Sequence, residues 1–218
     1  QVLDKDLDLQ RMCWSPDGKW IAAVKPVGEK SEVHLWEPDG KAGPVLPVDG
    51  TVECIAFTPD GKSLAAGGDL RQTESAFLTW DTVKWTPKTI ALGTPACPWV
   101  FAWEARGQRL ALLAAHAVWL CDVASGKTTW LESHGFAGSI AFSSTGDWIA
   151  HGGAGADVCT WNVKTGSRGP SLGYERSSQY AEFHACVNGQ VVAMSSEDER
   201  GAIRLWNPDG RPGPMTRR

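Results

Sequence analysis

The sequence predicts an all-β protein made of five copies of one short antiparallel unit, and three observations predict it. A turn glycine recurs at Gly18, Gly61, Gly107, Gly146 and Gly189. Three residues after each comes an apolar pair: Ile21-Ala22, Leu64-Ala65, Leu110-Ala111, Ile149-Ala150 and Val192-Ala193. A third register follows at Trp36, Trp80, Cys121, Trp161 and Trp206, each preceded at three residues by Val33, Phe77, Val118, Val158 or Ile203. Self-similarity at this period is the signature of a repeat architecture. Composition agrees, because 24 glycines, 13 prolines and 12 tryptophans in 218 residues suit many short strands joined by turns, and no stretch carries helical patterning.

The elements follow in chain order. The first repeat, roughly 10–48, opens with an inner strand ending at Trp14 and a Ser-Pro-Asp-Gly18 turn. A second strand starts at Ile21, a third ends at Trp36, and a second Pro-Asp-Gly turn closes on Gly40. Proline presets φ, aspartate caps the turn, and glycine takes the left-handed position that other residues resist. The repeat at 52–92 restates the pattern with Ile55-Ala-Phe57, Thr58-Pro-Asp-Gly61 and Ser63-Leu-Ala-Ala66. The repeats at 98–132 and 137–172 keep the glycine but lose the Pro-Asp pair, and Cys121 replaces a tryptophan in the former. The repeat at 180–218 is the most divergent: Phe183 lies six residues before Gly189, so its first hairpin is expected to carry two extra residues. Residues 1–9 supply a strand able to complete the last repeat.

Phe/Trp-Ser-Pro-Asp-Gly, then Leu/Ile-Ala-Ala, then Val-x-Leu-Trp resembles the WD40 (WD-repeat) family. Trp14-Ser-Pro-Asp-Gly18 with Val33-His-Leu-Trp36 is the closest stretch. The resemblance covers essentially the whole chain and implies one β-propeller domain over 1–218, with five four-stranded antiparallel blades around a channel. The residue count fits a closed five-bladed ring; the alternative is a segment of a larger propeller, in which case self-association is expected. The Ala-, Gly- and Trp-rich repeats look more bacterial than eukaryotic. The family's hydrogen-bonded tetrad is mostly missing, since its second-strand hydroxyl position holds Ala23, Ala66, Leu112, His151 and Met194. Packing is therefore expected to rest on apolar contacts.

Several function classes are disfavoured. A net charge of −4 argues against a nucleic-acid binder. No apolar run is long enough to insert in a membrane as a helix. The five histidines lack metal-ligand spacing, and no nucleotide or nucleophile-elbow motif occurs, so no metal, cofactor or catalytic residue is expected. The six cysteines are irregularly spaced and are expected to be reduced thiols, which favours a cytoplasmic compartment. The chain begins at Gln1 without an initiator methionine, as a processed chain or a piece of a longer one would. Most tryptophans, Trp14 among them, fall in strand positions and are expected to be core; Trp85 and Trp99 fall in loops.

The remaining variation lies between second and third strands, in Val27–Glu32, Asp69–Ser75 and Ser195–Gly201. These loops and the blade-entry loops are expected to share one face, where binding residues commonly sit. The expected function is a non-enzymatic scaffold that binds a protein or peptide there. Its candidate contacts are Arg71, Glu74, Trp99, His134, Phe136, Tyr174, Arg176, Asp198 and Arg200. The alternative is a small-molecule or glycan-binding propeller using exposed aromatics such as Trp85, Trp99 and Tyr174. The Pro-Asp-Gly face is expected to be flat, with the larger pocket opposite.

Overall fold

The computed structural model describes residues 8–71, 76–92, 97–114, 117–131, 138–152, 159–170, 181–185, 191–195, 203–207 and 211–216. Among them there is no helix, and nineteen strands form five antiparallel sheets, each following chain order. The first sheet is β1 (Asp8–Trp14), β2 (Ile21–Val27), β3 (Lys30–Trp36) and β4 (Ala42–Val48). The second is β5 (Thr51–Phe57), β6 (Ser63–Asp69), β7 (Ala76–Asp81) and β8 (Pro87–Ala91). The third is β9 (Val100–Trp103), β10 (Arg109–Ala114), β11 (Ala117–Asp122) and β12 (Thr128–Leu131). The fourth has β13 (Ser139–Phe142), β14 (Trp148–Gly152) and β15 (Cys159–Asn162). The fifth is β16 (Ala181–Ala185), β17 (Val191–Ser195), β18 (Ile203–Trp206) and β19 (Pro212–Thr216).

Two compact units divide the chain, Gln1–Phe101 and Ala102–Arg218. In the first, sheets one and two pack face to face through Val24, Val33, Leu35, Leu46, Val52, Leu64 and Trp80, all buried. Alternation along each strand places these residues on the packed faces. Val52 and Leu35 are under 2% exposed, and burial of side chains of this size contributes about 1.5–3 kcal/mol each. The Arg11 guanidinium binds the Glu53 carboxylate, linking β1 to β5 at the edge of this core. In the second unit the buried set includes Leu110, Leu112, Val118, Phe142, Ile149 and Trp161.

The first-to-second-strand turns share one geometry. Ser15 N–H donates to the Trp20 carbonyl (2.8 Å) and Gly18 N–H to the Ser15 carbonyl (2.9 Å); Thr58, Glu104 and Ser143 repeat both bonds with Ser63/Gly61, Arg109/Gly107 and Trp148/Gly146. Where the Asp survives, it completes the cap. Ser15 Oγ donates to Asp17 Oδ1 (2.7 Å) and Lys19 N–H to the same oxygen (3.1 Å), and Thr58, Asp60 and Lys62 match them. These donors, the Lys19 side chain first, hold the Asp17 carboxyl at about 2. The residue after the third-strand anchor also caps a turn: Asp81 accepts N–H bonds from Val83, Lys84 and Thr86, and Asn162 from Lys164 and Thr165.

Three expectations are corrected, and the hairpin expected in the last repeat is given its register. The fourth sheet has three strands among the described residues; beyond them Trp161 bridges Arg168, and Gly169 N–H reaches the Thr160 carbonyl. The Pro170 carbonyl accepts from Thr160 Oγ1 (2.8 Å). In the fifth sheet Ala185 pairs with Val191, so the two extra residues of the hairpin lie in β16 past Phe183. Val27–Glu32 is not a loop: β2 and β3 pair without a break from Ile21↔Trp36 to Val27↔Lys30. Trp14, expected in the core, is 54% exposed, whereas Phe57 at the same repeat position is 6% exposed and packed in the core cluster.

Candidate interaction rim

In the first unit one rim lies opposite the turns at Gly18 and Gly61. The β2–β3 ribbon projects there and reverses through Gly28 (φ 63) and Glu29, with glycine at the first of two turn positions as a type II′ hairpin requires. Three contacts tie its tip to the second sheet. Ser31 Oγ, buried, accepts the Val52 N–H (3.0 Å); Lys30 Nζ lies 3.1 Å from Asp49; and Glu29 Oε2 lies 2.5 Å from Arg71 Nη2. Beneath them the entry to β5 crosses the end of β6 so closely that neither backbone tolerates a side chain. A Cβ on Gly50 (φ 133) would lie 2.1 Å from the Asp69 carbonyl, and one on Gly68 (φ 151) 2.1 Å from that of Thr51.

The result is a band of alternating charge, Glu29, Lys30, Asp49, Asp69 and Arg71, on a rigid base. Arg71 itself has φ 49, a strained value for a side-chain-bearing residue. It is exposed, as is Glu29. The hydrogen bond from Arg71 holds the Glu29 carboxyl below the usual carboxylate range, and Glu29 raises Arg71 in turn. Exposed pairs of this kind contribute little to stability, so the band is available to exchange partners.

The entry to the third sheet flanks the same end of β6. Pro98 is buried, its carbonyl accepts from Cys54 Sγ (3.6 Å), and Gly67 leaves the space that Pro98 and Phe101 fill. Trp99, next in the chain, is half-buried; Cys97 is exposed, and burial and the Asp69 charge raise its thiol pKa. Of the residues singled out from sequence, Arg71 and Trp99 therefore flank one end of β6. Glu74, His134, Phe136, Tyr174, Arg176, Asp198 and Arg200 lie outside the described residues. Glu29 and Lys30 fall within the Val27–Glu32 stretch assigned to this face but are not among the candidate contacts, and Asp49 is in neither set. The signal was present, since strand alternation runs on both sides of Gly28-Glu29 as it does around a two-residue hairpin turn.

Trp85 is not an exposed platform. With φ 57 it folds back half-buried, its ring edge-on to Trp20 at 5.6 Å and 89°. Among the described residues the exposed rings are instead Trp14 and Trp130, the latter 56% exposed and paired across the ladder with Trp119. The described cysteines form no disulfide; burial pushes Cys13 to about 12 and Cys121 to about 11, so both stay protonated at neutral pH. Among the described residues no three His, Cys, Asp or Glu side chains are grouped to hold a metal, and no helix is long and apolar enough to cross a membrane.

Successive antiparallel meanders, most of them four-stranded and the first four with a capped inner turn, define an all-β fold of the β-propeller type. The chain carries such a repeat: residues 44–71, spanning most of β4 and all of β5 and β6, match the family model of the WD domain, G-beta repeat. Solved structures share the fold. TolB from Acinetobacter baumannii aligns at a TM-score of 0.66 and 21% identity, over 93% of this chain and 52% of that one. A chain of the mitotic checkpoint complex aligns at 0.72 and 18%, over 94% of this chain and 64% of that one. The chain thus spans between half and two thirds of the length of these two. No curated protein sequence matches it.

Proposed function

We propose that this chain is a non-enzymatic interaction scaffold that binds a protein or peptide through the rim carrying the β2–β3 ribbon, the 69–71 segment and the 97–99 entry loop. The observation that carries this reading is the Glu29–Arg71 and Lys30–Asp49 pairs, which set four exposed charges of alternating sign on a base fixed by Gly50, Gly68 and the buried Ser31–Val52 bond. Charges held in place on a rigid frame favour partner choice and fast encounter over raw affinity. The mitotic checkpoint neighbour is a protein complex by its title, which fits a scaffold role. On this reading the partner carries its own alternating charges and exchanges with both pairs.

Affinity capture from the source organism tests it. Lys30→Glu and Arg71→Glu together are expected to release the captured partner, whereas Lys19→Glu and Lys62→Glu, on the opposite turns, are expected to retain it. Loss of the partner only in the second pair would overturn the proposal.

A further inference from the structure

Of the two described first-to-second-strand turns of the second unit, the one at Ser143 caps itself through Thr145 and Trp148 N–H, whereas the one at Glu104 lacks the hydroxyl. In the first unit each turn caps itself: the Ser15 and Thr58 hydroxyls accept the Trp20 and Ser63 N–H groups (2.8 and 3.0 Å) and donate to Asp17 and Asp60. In the third repeat the hydroxyl position is Glu104 and the Asp position Arg106, and in the fourth the Asp position is Thr145. Glu104 reaches past its own turn and lies on Gly146 of the next one, where a Cβ would stand 2.5 Å from its Oε1. Its carboxyl group is buried, at 5% residue exposure, and Oε2 has no hydrogen-bond partner among the described residues.

A cleft of about 370 Å³ opens between these two turns, lined by Glu104, Arg106, Arg109, Ser144, Thr145 and Asp147. It lies on the side that the sequence reading expected to be flat. Its size is at the lower end of the range for small-molecule sites, about 300–1,000 Å³. Two guanidinium groups and two carboxyl groups converge on it, and among the described residues no ion pair within 4.0 Å joins any of them to another. The Arg109 charge is one of the lesser causes that lower the Asp122 carboxyl. A phosphate would suit the arginines but meet both carboxyl groups, and a metal ion would meet both arginines. A ligand bearing both charges meets neither objection.

We propose that this cleft binds a free α-amino acid, its carboxylate on Arg106 and Arg109 and its ammonium group on Asp147 and Glu104. The buried Glu104 carboxyl supplies negative charge beneath the ammonium, and Ser144 and Thr145 complete the polar wall. The site is independent of the interaction rim.

The test is calorimetric titration of the full chain with each common free amino acid singly, and with propionate, ethylammonium and sulfate. At least one amino acid is expected to bind saturably, with propionate and ethylammonium at least about tenfold weaker, the usual worth of a lost charge-assisted hydrogen bond. The exposed substitutions Arg106→Gln and Asp147→Asn should each weaken binding about tenfold while Lys19→Gln leaves it unchanged. Glu104→Gln is expected to do the same, with thermal melting as a check that it folds. No saturable binding by any amino acid, sulfate binding as well as the best amino acid, or indifference to both exposed substitutions would overturn the proposal.

Discussion

Glu104 and Gly146 are packed so closely that a single added carbon would collide with the carboxyl group: a Cβ on Gly146 would lie 2.5 Å from Glu104 Oε1 and 2.7 Å from its Cγ. Gly146 also sits at φ +76, where side chains cost about 1–2 kcal/mol. Gly146→Ala should therefore destabilise by at least that amount in the native background, and by less when Glu104 is first changed to Ala. Urea unfolding of the two single variants and the double variant measures the coupling. Equal cost in both backgrounds would mean that the contact carries no energy.

His151 provides a pH-dependent prediction. It is 2% exposed, lies opposite Cys159 in the ladder, stacks on Trp161 at 6.5 Å, and neither ring nitrogen has a hydrogen-bond partner among the described residues. Burial, and secondarily the Arg168 charge, lower its pKa from 6.5 to about 4. The unfolded chain therefore takes up the proton first. Stability from the neutral ring is fully present above about pH 6.5, falls as pH drops toward 4, and levels off below that. The loss is about 3 kcal/mol by linkage. Unfolding free energies between pH 7 and 4 should show this component in the native protein and lack it in His151→Leu. Identical pH profiles would show that the ring is not buried neutral.

The tryptophans should separate into two classes. Trp80 and Trp36, 2% and 6% exposed, end third strands inside the first unit, and replacing either with Ala should cost about 3–5 kcal/mol. Trp14, 54% exposed, should cost under about 1 kcal/mol, as exposed substitutions do. Thermal melts of the three variants distinguish the classes, and equal destabilisation by all three would contradict them.

Thiol reactivity should follow burial. Cys97 is exposed, while Cys13, Cys54 and Cys121 are raised mainly by burial. Under native conditions at pH 8 Cys97 should react first with a disulfide reagent, and these three only on unfolding. Mass-mapped labelling checks the order, and early labelling of Cys54 would contradict it.

The repeat was legible because each unit advertises itself through local chemistry. Gly18 and Gly61 mark positive-φ turns, Asp17 and Asp60 mark caps, and Ile21-Ala22 and Leu64-Ala65 mark buried strands; all of these depend on neighbours a few residues away. What depended on distant neighbours was not legible. Trp14 and Phe57 occupy the same repeat position, but only Phe57 is covered by packing from another sheet, and no local pattern distinguishes them. Trp85 reads as an exposed loop residue until Trp20, 65 positions earlier, is brought against it. The Val27–Glu32 ribbon was obscured by counting residues between anchors, because added length extends a ladder as readily as a loop. Glu104 reads as an ordinary turn substitution until the adjoining turn brings Gly146 beneath it.

A partner bound at the ribbon rim would shield its backbone amides from exchange. Hydrogen–deuterium exchange of the chain with and without its captured partner tests it most directly. Protection on binding is expected at residues 28–31, 49–52, 69–71 and 97–99, with exchange unchanged at 15–20 and 58–63. Protection confined to the 15–20 and 58–63 turns would contradict the account.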